Sequence, residues 1–415
     1  MNKHILVVAQ YFYPEQFRIN DICKEWVKRG YKVTVLTGIP NYPQGKYYKG
    51  YGLFRKRREN YDGINIRRIP LIPRGKSSFM LILNYLSFVI SGFFFSKLTK
   101  LYADHVFIYE VSPMTQALPG IWFARRRNIP CTLYVMDLWP ENIEIVAGIK
   151  NKRILNFVGK IVDNIYKNCD RILTSSRSFV ELIEKRGVSR QKLEFWPQYA
   201  EDFYRPLPQE SVEENIIPQD GKFNILFAGN IGFAQGLEIL PETAQILKKR
   251  NFNSVRFNLV GDGRAKIDLR DKIKENRVEE FFNFIDRQPA VSIPKFMAAS
   301  DASLLTLSKS KVFETTIPGK TQSYMACGIP IIVSADGEVC DIVRDSGAGL
   351  CSPAGDPEEL ASIILEMSSL PKEKLQEMGR RARDYYEKNF SKSRLLDRMD
   401  ELFKLQKGDF IYVQK

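Results

Sequence analysis

The chain has 415 residues, 44% of them apolar and 27% charged, with a net charge of +14. This composition excludes a disordered or fibrous protein, and the length provides for two or three domains. Six scattered cysteines with no C-x-x-C exclude a zinc or disulfide framework, and two histidines, His4 and His105, each opening an apolar run, argue against a His-based triad or a His-rich metal site.

The charge is unevenly spread. Residues 1–200 hold 32 Lys and Arg against 15 Asp and Glu, and residues 201–415 hold 30 against 33. A basic first half attracts anionic partners such as nucleic acid, phospholipid or phosphorylated substrates. Strand-like "HILVVAQ" (4–10) begins almost at once, so no signal peptide is read and a cytosolic location is expected.

In chain order, apolar runs at 4–10, 31–37, 64–70, 105–111, 131–137, 171–176 and 192–197 predict strands, with helical patterns between most of them. One such pattern is "NDICKEWVKRGY", whose Ile22, Trp26 and Val27 share a face and whose Gly30 ends the helix. "KYYKGYGLFRKRRENY" (46–61) interleaves basic and aromatic residues, which suits an anionic membrane surface, single-stranded nucleic acid or a solvated loop. "FMLILNYLSFVISGFFFSKLTKLY" (79–102) is apolar but broken by Asn84, Ser87, Ser91 and Gly92, and is expected to be a buried or membrane-surface helix rather than a span. "PQYAEDFYRPLPQESVEENIIPQDG" (197–221) reads as an interdomain linker.

The alternation then restarts, with strands expected at 223–230, 255–263, 281–286, 302–307, 329–333 and 347–353. Short apolar strands alternating with helices imply parallel sheets covered on both faces. The expected architecture is α/β, with two doubly wound domains facing a cleft, at residues 1–200 and 201–390. A C-terminal helix at 391–415 would pack across them. Ligands would bind at the carboxyl ends of the strands.

Three stretches of the second half carry candidate chemistry. "FAGNIGFAQGLE" (227–238) places Asn230, Gly232, Gln235 and Gly236 between a strand and a helix, where free N–H groups suit phosphate. "NLVGDGRAK" (258–266) supplies Gly261 and Gly263, which permit close backbone approach or form an ordinary tight turn. "TTIPGKTQSYMACGIP" (315–330) sets Lys320 at a helix start, where the macrodipole repels a cation unless an anion sits there. Together they suggest a nucleotide diphosphate site. In the first half, "QYFYPEQFRIND" (10–21) places Glu15, Gln16 and Arg18 after the first strand, and "YVMDLWPEN" (134–142) places Asp137 and Glu141 after a central one. Carboxylates there could serve as acid/base or hydroxyl-binding groups, or cap a helix.

The blocks "YFYPE", "DLWPE", "GNIG-x-AQGLE", "GDG" and "IPGK-x-x-SYMACGIPI" resemble family 4 glycosyltransferases of the GT-B fold, over nearly the whole chain. Among these, the chain is most similar to enzymes of O-antigen, capsule and exopolysaccharide assembly, including L-fucosamine (N-acetylfucosaminyl) transferases. The resemblance implies two Rossmann-like domains and retaining transfer of a sugar from a nucleotide-sugar donor, with UDP favoured over GDP. It implies a lipid-linked polyprenyl-diphosphate saccharide acceptor, no resident cofactor or metal, and a peripheral place on the inner face of the cytoplasmic membrane.

By the same resemblance, Lys320 would face the donor diphosphate as a catalytic residue, with Asp137 and Glu314. Asn230, Gly232, Gln235, Gly236, Gly261, Gly263, Asp286 and Ser323 would be donor-side, and Glu15, Arg18 and Glu141 acceptor-side. Three departures from the family pattern stand out. Its Glu-x7-Glu pair falls on Thr315 and Ser323, with Glu314 one residue off. Its Arg/Lys pair is replaced by Asn230 and Gln235, and its cleft His by Met136. A nucleic-acid-binding protein and a GT-B UDP-sugar epimerase are the alternative readings.

Overall fold

The computed structural model describes residues 3–75, 77–143, 151–208 and 216–413. The part of the expected linker at 209–215 therefore lies outside the described residues. The chain divides into two compact units, one formed by Met1–Trp196 with Asp397–Lys415, the other by Pro197–Leu396.

The first unit holds an eight-stranded sheet in the order β3-β4-β2-β1-β5-β6-β7-β8. Its strands are β1 (His4–Val8), β2 (Lys32–Thr37), β3 (Arg58–Tyr61), β4 (Ile64–Arg68), β5 (His105–Glu110), β6 (Cys131–Val135), β7 (Arg171–Thr174) and β8 (Leu193–Phe195). All pairs are parallel except β3 with β4. The helices are α1 (Ile19–Lys28), α2 (Ser78–Leu98), α3 (Leu118–Arg127), α4 (Lys152–Lys167) and α5 (Arg177–Lys185). The apolar runs become central strands because both faces of a parallel sheet are covered, so no polar alternation is needed; all five residues of β1 are buried. The expected amphipathic helix is α1, which turns Ile19, Ile22, Cys23 and Trp26 inward.

Both histidines are structural. His4 Nε2 lies 2.8 Å from Thr34 Oγ1, and His105 Nε2 lies 2.8 Å from Thr132 Oγ1, each inside the sheet. Burial holds the His105 imidazole down to about 3, so it stays neutral.

β3 has no counterpart among the expected strands. It lies in the basic-aromatic stretch and pairs antiparallel with β4 at the sheet edge. One of its faces is anchored: Glu59 pairs with buried Arg68 at 2.8 Å, and Tyr61 stacks on Tyr13 with ring centroids 3.6 Å apart. Those contacts turn a stretch with no apolar alternation into a strand. Of the two alternatives expected for α2, a buried or a membrane-surface helix, full burial is not observed. Only Leu81, Asn84, Phe88, Gly92 and Ser96 are buried, while Phe79, Leu86, Ile90, Phe94 and Leu98 are exposed.

The second unit is a six-stranded, wholly parallel sheet in the order β11-β10-β9-β12-β13-β14. Its strands are β9 (Phe223–Ala228), β10 (Val255–Val260), β11 (Phe282–Ile285), β12 (Ala302–Thr306), β13 (Ile331–Ser334) and β14 (Gly349–Ser352). Helices α6 (Leu240–Lys249), α7 (Lys266–Glu275), α8 (Ile293–Ala298), α9 (Lys311–Glu314), α10 (Gly319–Cys327), α11 (Glu338–Ser346), α12 (Pro357–Ser368) and α13 (Lys372–Asn389) cover it; α14 (Lys392–Lys404) begins at its end and continues into the residues of the first unit. In both sheets the strand order reverses beside the first strand, between β1 and β5 and between β9 and β12. A crevice outside the carboxyl ends at such a switch point is where open α/β sheets bind ligands.

Candidate active site

The switch point of the second unit is built around Lys320. Helix α10 starts after Pro318 without a side-chain cap, so its first N–H groups are free of that partner. One turn further on, the Tyr324 hydroxyl bridges the two switch-point strands, accepting from Ala228 N at 3.3 Å and lying 3.4 Å from Leu304 O, to which it donates. Residues four apart share a helix face, so fixing Tyr324 aims Lys320 at the end of β9. The Lys320 ammonium sits 3.8 Å above the Phe227 ring and donates to Gln235 Oε1. Among the described residues no carboxylate pairs with it. Burial without a counter-charge draws its pKa down to about 7. A half-buried cation over an aromatic face, at a helix N-terminus and without an anion, is arranged to receive one.

Gln235 is placed by a short turn over Phe233–Gln235 that ends at Gly236 in the left-handed region, φ 64°. A Cβ at Gly236 would stand 2.7 Å from the Leu307 carbonyl carbon, so glycine is needed to seat this loop on the end of β12. Gly261, φ 147°, has a different neighbour from the ligand expected for it. A Cβ there would meet Gly229 O at 1.9 Å, so the close approach is between the β9 and β10 loops of the chain itself. Gly263 abuts Ile231 O in the same way, and Asn230 is exposed beside Gly232 and Gly263.

The structure does not bring the carboxyl or hydroxyl groups of every expected donor-side or catalytic residue to this point. Asp286 ends β11 at the sheet's far edge and pairs with Lys266 at 3.2 Å. Ser323 directs its hydroxyl into the helix, to Gly319 O at 3.3 Å. Glu314 is exposed, and its backbone packs under Gly337.

In the first unit, Asp137 follows β6. Its Oδ2 accepts from Ser112 N at 2.8 Å and Ser112 Oγ at 2.7 Å; among the described residues Oδ1 has no hydrogen bond. Its own N–H lies 3.4 Å from Glu110 Oε2. Burial, and then the neighbouring Asp137, pushes Glu110 well above the usual carboxylate range, so it is held neutral. Tyr85 lies near both carboxyl groups and Arg74, and burial lifts its phenol to about 12.

Glu15, expected on the acceptor side, is buried. Its carboxylate accepts from Asn41 N at 2.8 Å, Tyr42 N at 2.7 Å and Phe12 N at 3.2 Å, so it ties two loops together rather than facing an acceptor. Burial outweighs these N–H groups and raises its pKa to about 7. Arg18 stands at the start of α1, and Glu141 is exposed, 3.9 Å from Arg186.

Sequence reasoning missed Glu110 and Arg74. Glu110 could have been found as the acidic end of the run "HVFIYE", since a charge closing a buried strand is costly unless used. Arg74 lies over the Tyr42 ring, 3.5 Å from the Tyr11 hydroxyl, and no local pattern marks it.

Residues 16–198 match the family model for the glycosyl transferase 4-like domain, and residues 209–385 match that for glycosyl transferases group 1. The chain is a glycosyltransferase. Among this transferase's relatives is WcaI of Escherichia coli, named as a colanic acid biosynthesis glycosyl transferase, 25% identical over 94% of this chain and 97% of its own length. Another is WbjE of Pseudomonas aeruginosa, named as a glycosyltransferase, 28% identical over 62% of this chain and 64% of its own. Its fold is GT-B, shared with sucrose-phosphate synthase of Thermosynechococcus elongatus (TM-score 0.74, 16% identity, 97% of this chain and 98% of that one). It is shared also with Anabaena Alr3699/HepE, solved in complex with UDP (TM-score 0.67, 15% identity, 97% and 100%).

Proposed function

We propose that this transferase moves a sugar from a nucleoside-diphosphate sugar to a saccharide acceptor in bacterial surface-polysaccharide assembly. The observation that carries the reading is Lys320, an anion-seeking cation at the switch point of the sheet that matches the group 1 model. The colanic acid relative supports the polysaccharide role, and the UDP-bound Anabaena structure supports a UDP-sugar donor. The sugar's bond from C1 to the diphosphate oxygen breaks as a bond to the acceptor hydroxyl forms, and the hydroxyl proton is released. Charge grows on the departing diphosphate, where Lys320 and the first N–H groups of α10 would stabilise it.

The proposal includes retention at the anomeric carbon, no requirement for a metal, a lipid-linked acceptor and work at the inner membrane face. N-acetyl-L-fucosamine is the first donor sugar to test. Asp137, with one oxygen open, is the acceptor-side group the geometry favours.

The test is a thermal-shift titration with UDP, GDP and single-stranded DNA. A ligand specific for the folded state at a hundred times its Kd stabilises by about 2.7 kcal/mol. A shift with UDP supports the donor site; a shift with DNA alone refutes it.

A further inference from the structure

The net positive charge of the first half is not accounted for by a donor site in the second. Much of the basic-aromatic stretch is consumed internally: Arg57 donates to Arg68 O and Leu53 O, and Arg68 to Tyr13 O and Glu59. Arg58 and Arg67 are different. They stand directly opposite each other across the β3–β4 pair, a like-charge juxtaposition that destabilises a sheet. Among the described residues neither has a hydrogen bond or a carboxylate partner through its side chain. Both line a cavity of about 690 Å³ together with Lys100, and none of the residues lining it is acidic.

The other wall of that cavity is α2, which is built inside out. Its packed side carries Asn84, Gly92 and Ser96, with Gly92 pressed against Pro119. Its outer side carries Leu86, Ile90, Phe94 and Leu98, at successive four-residue steps and 52%, 58%, 56% and 75% exposed. Phe94 and Leu98 also line the cavity, so the apolar stripe runs into the arginine cluster. The helix is long and apolar enough to cross a bilayer. Yet it joins β4, through residues 69–77, to β5, two strands of one sheet, and it packs along α3. Crossing would pull it out of the unit, whereas lying flat would bury the outer stripe and leave the fold intact.

We infer that α2 and the Arg58–Arg67 pair form one docking surface for an anionic phospholipid bilayer, the apolar stripe entering the acyl boundary and the cavity receiving a lipid phosphate. Two arginines give the fork geometry that suits a phosphate, and a basic cluster beside an apolar helix face is the combination that holds a protein at such an interface. The inference rests on the proposed work at the membrane face. It names the lipid class and the residues, and within the basic-aromatic stretch at 46–61 it singles out Arg58, joined by Arg67 from β4.

The test is vesicle co-sedimentation of the full chain with phosphatidylcholine alone and with about one-quarter phosphatidylglycerol added. Arg58→Gln with Arg67→Gln removes a repulsive pair, so the melting temperature should hold or rise. Binding to the anionic vesicles should fall about thirtyfold, roughly fivefold for each charge. Phe94→Ser with Leu98→Ser should also abolish it, and raised salt should weaken the wild type. Unchanged binding by the arginine variant would overturn the inference. So would failure of the wild type to bind anionic vesicles, full displacement by inorganic phosphate, or loss of single-stranded DNA binding with vesicle binding intact. A UDP thermal shift on the same preparations keeps the donor site separate, since it can persist when the vesicle result is negative.

Discussion

If Lys320 receives a diphosphate, donor binding must take up a proton. In the free protein the ammonium lies half-buried over Phe227 with Gln235 as its neutral partner, and desolvation lowers its pKa to about 7. An adjacent dianion favours the charged lysine and returns the pKa towards its ordinary value of about 10.4. The sign follows. Below pH 7 the lysine is already charged and affinity is insensitive to pH. Above it, the free protein is increasingly neutral while the complex stays charged, so affinity falls by up to one decade per pH unit. Between pH 6 and 8.5 the loss should be about thirtyfold, with uptake of about 0.9 proton per site at pH 8.

The assay is isothermal titration calorimetry with UDP in buffers of different ionisation enthalpy. The terminal phosphate of UDP itself titrates with a pKa near 6, so Lys320→Met is the control. The difference between the two proteins isolates the lysine. A pH-independent Kd above pH 7 in the wild type, or an equal slope in the variant, would refute the assignment of Lys320 to the diphosphate.

Three further outcomes follow from the same geometry. Lys320→Ala should lower turnover at least tenfold, about 1.4 kcal/mol or more of transition-state stabilisation, and wild-type turnover in the folded variant would remove its catalytic role. Gly261→Ala must relieve a 1.9 Å approach to Gly229 O at a φ unfavourable to side chains, and should cost about 2 kcal/mol or more in urea unfolding; a neutral result would mean that the two loops can separate freely. Glu15 has a folded pKa of about 7, above its usual value of about 4.3, so its contribution to stability is fully present below about pH 4.3 and is lost as pH rises through 7. Glu15→Gln should flatten that part of the stability profile, and an unchanged profile would place the titration elsewhere.

The parallel strands were legible because a strand covered on both faces must be apolar along its whole length, and thirteen such runs stand out from their helices. β3 was not legible, since what makes Arg58–Tyr61 a strand is the pairing of Glu59 with Arg68 on the adjacent strand and of Tyr61 with Tyr13, a partner remote in sequence. Helix α2 was legible only in part. Its polar interruptions were read as evidence against a span, but Asn84 is fully enclosed, its amide shared between Gln10, Ile72 and Asn41. A sequence shows that a helix mixes polar and apolar residues; only packing shows which of them face inward. The candidate site divides along the same line. Lys320 could be found because a cation at a helix start is locally unfavourable and needs an external reason. Glu15 looked like a ligand group because it follows a strand, yet the loops it ties converge only in three dimensions. Local electrostatic conflict thus points outward to a ligand only where the fold supplies no partner of its own. The same criterion picks out Arg58 opposite Arg67, and it sets aside Arg57, Arg68 and Glu15, whose charges the chain already answers.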